Sequence, residues 1–299
     1  MRETTLDAAG VTLSALVAEP AGPPRATVVA IHGGGMTAGY FDSQSHPDTS
    51  LLTLGARLGF TVVAVDRPGY GLSRGTLPDG QTLSEQSRSL RAALGDLTTR
   101  HPTGAGVFLL AHSYGGKLAL TCAADLADLA DPADPVCPGS AGTGAVPALL
   151  GVDVSGIGHQ YAVDHLDLPD PHQHRHWKRN WGALRFYPPN TFKDSTALVE
   201  PMPTREWAEA ARWPRRFTEI AARIRVPVRL TFAEHELWWR HDPAALADLE
   251  DRFHRAPFVT VDRQPDAGHN ISLGRLARTY HLRALAFLEE CLARGSATT

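Results

Sequence analysis

Lysine is nearly missing from this chain. Only Lys117, Lys178 and Lys193 stand among 29 basic residues in 299, the rest being arginine. No basic run occurs and the formal net charge is −3, so the sequence carries no electrostatic footprint for nucleic acid. Cysteine is as sparse. Cys122, Cys137 and Cys291 are odd in number and form no Cys-x-x-Cys pair, which reads as reduced, structural thiols rather than a disulfide framework. Long apolar runs are absent too: none approaches the roughly 18 residues of a membrane-spanning helix. The opening MRETTLDAAGVTLSALVAEP carries acids and lacks a positively charged start followed by an apolar core, so it is no signal peptide. These absences together predict a soluble, cytoplasmic protein with neither nucleic acid nor membrane as a partner. Tryptophan, finally, does not occur before Trp177, and all six lie between there and Trp239.

What is present is an ordinary globular balance, 43% hydrophobic and 20% charged. Short apolar runs fall at 11–18, 27–31, 61–65, 107–111, 148–154, 226–232 and 258–261. Most are continuous rather than alternating, as in strands buried on both faces of a parallel sheet. Helical patterns fill the gaps. Thr82 and Glu85 form a capping-box pair ahead of Leu83, Leu90, Leu94 and Leu97. Leu276, Tyr280, Leu285, Leu288 and Leu292 make one stripe of a last helix that Gly295 would end. The alternation predicts an α/β protein: a mostly parallel open sheet with helices on both faces, joined by right-handed crossovers.

Two stretches break the rhythm. Residues 131–147 are rich in Pro, Gly, Ala and Asp and read as a long surface loop. Residues 157–222 have no strand signal, only short helix-like pieces among prolines. They are expected to form a helical cap inserted into a core of 1–156 and 223–299. Four tryptophans lie in the cap, with Trp238 and Trp239 just beyond it. Rings concentrated there either fill the cap's own core or line a pocket, with Trp177, Trp181 and Trp238 as candidate substrate contacts.

The chemistry centres on Ala111-His112-Ser113-Tyr114-Gly115-Gly116, which follows one apolar run and precedes a helix pattern from Lys117 to Leu129. That is the strand–turn–helix context of a nucleophilic serine held on a strained turn, where neighbours two residues away must be small. Gly115 meets that demand, and Ala111 stands where a first glycine is usual. The plainer alternative is a serine helix cap. At the end of another apolar run comes His32-Gly33-Gly34-Gly35, whose glycines allow backbone N–H groups to approach an oxyanion. A phosphate loop would need a Gly-Lys-Ser/Thr ending or the Gly-x-Gly-x-x-Gly spacing, and neither is here. His32 reads as structural, and Asp66 as organising the tight turn of Arg67, Pro68 and Gly69. His172, His174 and His176 invite a metal reading. Alternate residues face one way only in a strand, however, and this Pro-flanked stretch has no strand character and no completing Cys or carboxylate pair. No metal or other cofactor is expected.

The histidine–glycine loop, Asp66-Arg67-Pro68-Gly69-Tyr70-Gly71 and the serine turn, in this order and spacing, resemble the α/β-hydrolase superfamily along most of the chain. The resemblance implies a triad in the order serine, acid, histidine, each at a strand end. It places the histidine at His269, in Asp266-Ala267-Gly268-His269-Asn270. The acid falls on Glu236, in Ala233-Glu234-His235-Glu236, with Asp153 as the alternative and Glu234 a candidate for a structural salt bridge. The oxyanion donors would be the N–H groups of Tyr114 and Gly34, with Gly33 or Gly35 as alternatives. The implied activity is serine hydrolysis of an ester, thioester or activated amide from a small acyl substrate. The aromatic cap points to a bulky one such as a natural product. A lyase or C–C hydrolase with the same triad, and a non-catalytic ligand-binding member, are the competing readings.

Overall fold

A computed structural model describes residues 1–43, 46–130, 147–164, 168, 176–194 and 198–296. Nearly all of the 131–147 stretch, Cys137, His172 and His174 lie outside these. Eight strands form one sheet: β1 (Arg2–Asp7), β2 (Thr12–Ala18), β3 (Thr27–Ile31), β4 (Thr61–Val65), β5 (Val107–His112), β6 (Leu149–Ser155), β7 (Val228–Ala233) and β8 (Val259–Gln264). Their order is β1-β2-β4-β3-β5-β6-β7-β8. β2 pairs antiparallel with β1 and β4, and every other pairing is parallel.

The continuous apolar runs are explained by two cores, one on each face. In β3, Val29 and Ile31 enter one cluster, while Val28 and Ala30 enter the other. β5 does the same, with Leu109 and Ala111 on one side and Phe108 and Leu110 on the other. The first face is covered by α2 (Leu83–Arg100), α3 (Tyr114–Leu129), α7 (Trp213–Ala221) and α8 (Pro243–Asp251). The opposite face is covered by α1 (Leu51–Arg57) and α9 (Ala277–Ser296). A strand whose alternate side chains both lose water has no polar positions to spare, which is why its sequence does not alternate. The Thr82–Glu85 capping box opens α2, with both reciprocal bonds formed.

The structure departs from the sequence expectations at element ends. β1 was not expected, because only Leu6 of its six residues is buried; backbone pairing to β2, not an apolar run, makes it a strand. β7 starts at Val228 rather than 226, because Pro227 has no N–H to give. The Pro227 carbonyl instead accepts from Val152. β8 runs past its apolar stretch to Gln264, carried by pairing with β7 and an ion pair between Asp262 and Arg229. α3 starts at Tyr114, three residues before the expected start, so both glycines lie in its first turn. Gly295 does not end α9, which continues to Ser296.

Residues 157–222 contribute no strand among those described. They hold α4 (Trp177–Trp181), α5 (Thr191–Asp194), α6 (Thr204–Ala210) and α7. α7 packs its Trp213, Phe217 and Ile220 into the same cluster as α3. No helix among the described residues is long and apolar enough to cross a membrane. Cys122 and Cys291 are free, buried thiols, each pushed up to about 12 by burial.

Candidate active site

Ligands of open α/β sheets bind beyond the carboxyl ends of the strands, where the strand order reverses. Here β3 lies between β4 and β5, so the loops leaving β3 and β5 flank that reversal. The first is the glycine loop and the second is Ser113. The Ser113 backbone has φ 52° and ψ −118°, a region that costs an L-residue about 1–3 kcal/mol. Three bonds hold it there: its N–H donates to Ser155 O at 2.8 Å, and its carbonyl accepts from Gly116 N–H at 2.9 Å and Lys117 N–H at 3.3 Å. Gly115 is obligatory, since a Cβ there would lie 2.3 Å from Ile31 O and 2.4 Å from His32 O. The Ala111 methyl, two residues before the serine, is accommodated inside the buried cluster.

The loop after β8 brings His269 to this serine. Its Nε2 lies 3.0 Å from Ser113 Oγ and its Nδ1 lies 2.8 Å from Glu236 Oε2. Glu236 Oε1 accepts the N–H groups of Leu237 (3.1 Å) and Trp238 (2.9 Å). Burial opposes its charge, but the His269 ring and the Trp238 N–H outweigh that and hold the carboxyl below its usual range. Asp153 is engaged elsewhere. It pairs with Arg229 on the neighbouring strand, accepts from Tyr280 Oη at 3.3 Å, and has no bond to His269 among the described residues. Glu234 forms no ion pair among the described residues; its exposed carboxylate accepts the Asp266 N–H at 2.9 Å, pinning the start of the histidine loop.

The three glycines after His32 differ. Gly35 N–H donates to Tyr70 Oη at 3.0 Å. Gly33 is absent from the cavity wall, and its carbonyl accepts from His32 Nδ1 (2.8 Å) and Arg67 Nη2 (3.2 Å). Gly34 faces the cavity beside Tyr114.

Beneath the glycine loop sits a network that sequence reading missed. Arg67, assigned only to a tight turn, is fully buried; it bonds His32 O through Nε (2.9 Å) and Gln86 Oε1 through Nη1 (2.9 Å). Both carboxylate oxygens of Glu206, on α6, accept from its guanidinium, and Tyr70 Oη donates to Glu206 at 2.9 Å. Burial disfavours the Arg67 charge, but Glu206 more than offsets it and holds the guanidinium firmly protonated. Nothing in the local spacing pairs residues 139 apart, so no sequence signal could have found it. Asp66 accepts from Ser14 Oγ and from Ala38 N, each at 2.6 Å, tying the loop after β3 to β2.

Gly156 was also missed. It has φ 61°, and a Cβ there would lie 2.9 Å from the His269 ring. His112, beside the serine, packs on the His269 ring at 4.8 Å and bonds Ser155 Oγ through Nδ1 at 3.0 Å. Burial, reinforced by His269, pushes its pKa far below the histidine range and keeps it neutral.

Ser113 and His269 open onto a cavity of about 610 Å³. Trp177, Trp181 and Trp238, the expected contacts, line it, and so do Trp207 and Trp239. Trp213 does not; its indole is buried in the core and donates to Gly158 O at 2.8 Å. Asn180 on α4 joins the wall to the site, accepting from Trp238 Nε1 at 2.8 Å and, through its carbonyl, from Asn270 N at 3.3 Å. His176 packs against Trp238 with ring centroids 5.2 Å apart. No group of three or more potential metal ligands occurs among the described residues.

An eight-stranded, mostly parallel sheet that gathers serine, histidine and carboxylate at its carboxyl edge defines the class: a hydrolase of the α/β type. Residues 28–279 match the Alpha/beta hydrolase family, and the chain belongs to it. Similar solved structures include a thermostable carboxyl esterase from Bacillus coagulans (14% identity, 98% of this chain and 99% of that one, TM-score 0.68). A monoacylglycerol lipase from Paleococcus ferrophilus is 19% identical over 94% of this chain and 98% of its own, with a TM-score of 0.65. The N-acyl homoserine lactonase AidH is 14% identical over 97% of this chain and 98% of its own, with a TM-score of 0.63. No curated protein matches in sequence.

Proposed function

We propose that this hydrolase is a serine esterase that cleaves a carboxylic ester, or the related thioester or activated amide, through an acyl-enzyme on Ser113. One observation carries the reading: His269 bonds Ser113 Oγ with one ring nitrogen and Glu236 with the other. Ser113 Oγ attacks the substrate carbonyl carbon as its proton passes to His269 Nε2, and Glu236 stabilises the imidazolium through Nδ1–H. The carbonyl oxygen becomes an oxyanion that accepts the N–H groups of Tyr114 and Gly34. Gly35 is set aside because its N–H is given to Tyr70, and Gly33 because it does not face the cavity. Losing one such donor costs about 3–4 kcal/mol in the transition state. The bond to the leaving oxygen breaks as His269 returns its proton there. Water, deprotonated by His269, then attacks the acyl carbon and releases the acid and free Ser113.

Residues 157–222 act as a cap over the core of 1–156 and 223–299. Through Glu206 and Arg67 the cap grips the loop that supplies Gly34. Its rings, with Trp238, set the shape of the substrate, and a cavity of this size takes a bulky acyl or alkoxy group.

A fluorophosphonate probe should label the wild-type protein on the peptide bearing Ser113, and Ser113→Ala should lose both the label and all turnover of p-nitrophenyl esters. An alanine variant that keeps wild-type activity would overturn the proposal.

A further inference from the structure

Lys117 stands on α3, one helical turn beyond Ser113, or about 5.4 Å along the axis. It is 5% exposed and forms part of the cavity wall. The rings of Tyr114, Tyr161, Trp213 and Trp239 surround its ammonium at 5.5, 5.9, 5.5 and 5.6 Å. Its hydrogen bond is to Tyr161 Oη at 3.3 Å. Tyr161 gives its own proton to Ala210 O at 3.0 Å, so it can only accept from the lysine. No carboxylate of the described residues lies within ion-pair distance of Nζ. The two acids whose fields reach it are committed elsewhere, Glu206 to Arg67 and Glu209 to Arg216. The cavity wall therefore holds a cation without a matching anion.

A buried ammonium without a counter-charge is costly, and facing π-systems offset only part of the cost. Burial accordingly pushes Lys117 down to about 7. Of its three N–H groups one is spent on Tyr161, leaving two directed donors and one unit of charge. That complement fits a carboxylate monoanion. A phosphate dianion would bring a second charge into the field of Glu206 and Glu209 with nothing to meet it.

We propose that Lys117 holds a carboxylate of the substrate, so that the ester cleaved at Ser113 carries a free acid in its acyl or alkoxy half. The inference builds on the esterase reading but can fail separately from it. Binding is measured by calorimetry on Ser113→Ala, which cannot turn its ligand over. Three esters are compared: benzyl hydrogen glutarate, benzyl pentanoate (the same chain ending in methyl), and 4-carboxybenzyl pentanoate, which carries the acid in the other half. One of the two acids should bind at least about tenfold more tightly than benzyl pentanoate at pH 6. By pH 8.5 that advantage should shrink, because the ammonium loses its proton while the carboxylate keeps its charge. His176, Glu200 and His269 also face the cavity, and Glu206, Glu209, Arg67, Tyr114 and Tyr161 surround the lysine. Ser113→Ala with Lys117→Met isolates the one group, and there the advantage should vanish at both pH values. Lys117→Arg, which restores the charge, should recover it and serves if the methionine variant does not fold. Equal affinity for all three esters at pH 6, or an advantage that survives Lys117→Met, overturns the proposal. Tight, Lys117-dependent binding of an ester that the wild type does not cleave would sustain it and sink the esterase reading instead.

Discussion

The two ends of the cavity are built on opposite rules. At the near end the serine, histidine and carboxylate are set by loops that leave the strands of the core. Ser113 is set by a strained turn between β5 and α3, His269 by the loop after β8, and Glu236 by two N–H groups of its own loop. Away from the serine the wall is mostly rings from residues 157–222 and Trp238–Trp239, which with Tyr114 surround a cation, Lys117, that no carboxylate of the described residues pairs. The sheet's strand ends pre-position the atoms that react, which must be right to within fractions of an ångström. Residues 157–222 supply most of the shape, while the charge comes from Lys117 on α3. The join between the two ends is the buried pair of Arg67 and Glu206.

The comparison can be broken most sharply at the acids. Glu236→Gln should lower kcat about 10³–10⁴-fold with little change in KM, by setting the wrong tautomer of His269. Asp153→Asn should leave kcat near wild type and instead cost about 2 kcal/mol of stability, because Arg229 loses one of its two carboxylates. Steady-state kinetics beside urea unfolding reads both. A larger kcat loss at Asp153 would move the acid to β6.

Next in size is the join. Glu206→Gln leaves the Arg67 guanidinium buried without a carboxylate, at a cost of about 3–5 kcal/mol. Because Arg67 also carries Gly33 O and His32 O, kcat should fall with it while KM for a short ester changes little. If stability fell and kcat did not, the pair would be a staple of residues 157–222 with no hold on the glycine loop.

The smallest changes in catalysis separate the tryptophans. Trp213→Ala should cost about 3–5 kcal/mol of stability, since its ring is wholly buried, without changing the ratio of activities on bulky and short p-nitrophenyl esters. Trp207→Ala removes a half-buried ring from the wall and should raise KM for the bulky ester by roughly tenfold. Melting temperatures measured beside the two KM values distinguish wall from packing.

Much of this was legible in the chain. Continuous apolar runs give a two-faced sheet because both faces lose water. Gly115 announces a turn that only a missing Cβ allows, and Ser113, the glycine loop and His269 each sit beside a strand end that local pattern reveals. What local pattern cannot carry is competition between distant groups. Glu236 follows β7 and Asp153 lies near the end of β6, and in the fold His269 bonds the first while Arg229 on β7 and Tyr280 on α9 engage the second. Gly33, Gly34 and Gly35 are equivalent as letters, and Tyr70, 35 residues from Gly35, distinguishes them by taking one N–H. Arg67 meets Glu206 across 139 residues, and Lys117 looks like an ordinary helix residue until four rings close around it. Periodicity and backbone sterics act over a few residues, so the sequence by itself determined most of the elements and the candidate positions of the site. Charge pairing and desolvation act through space, so only the tertiary structure decided which groups are spent on each other and which are left to face a ligand.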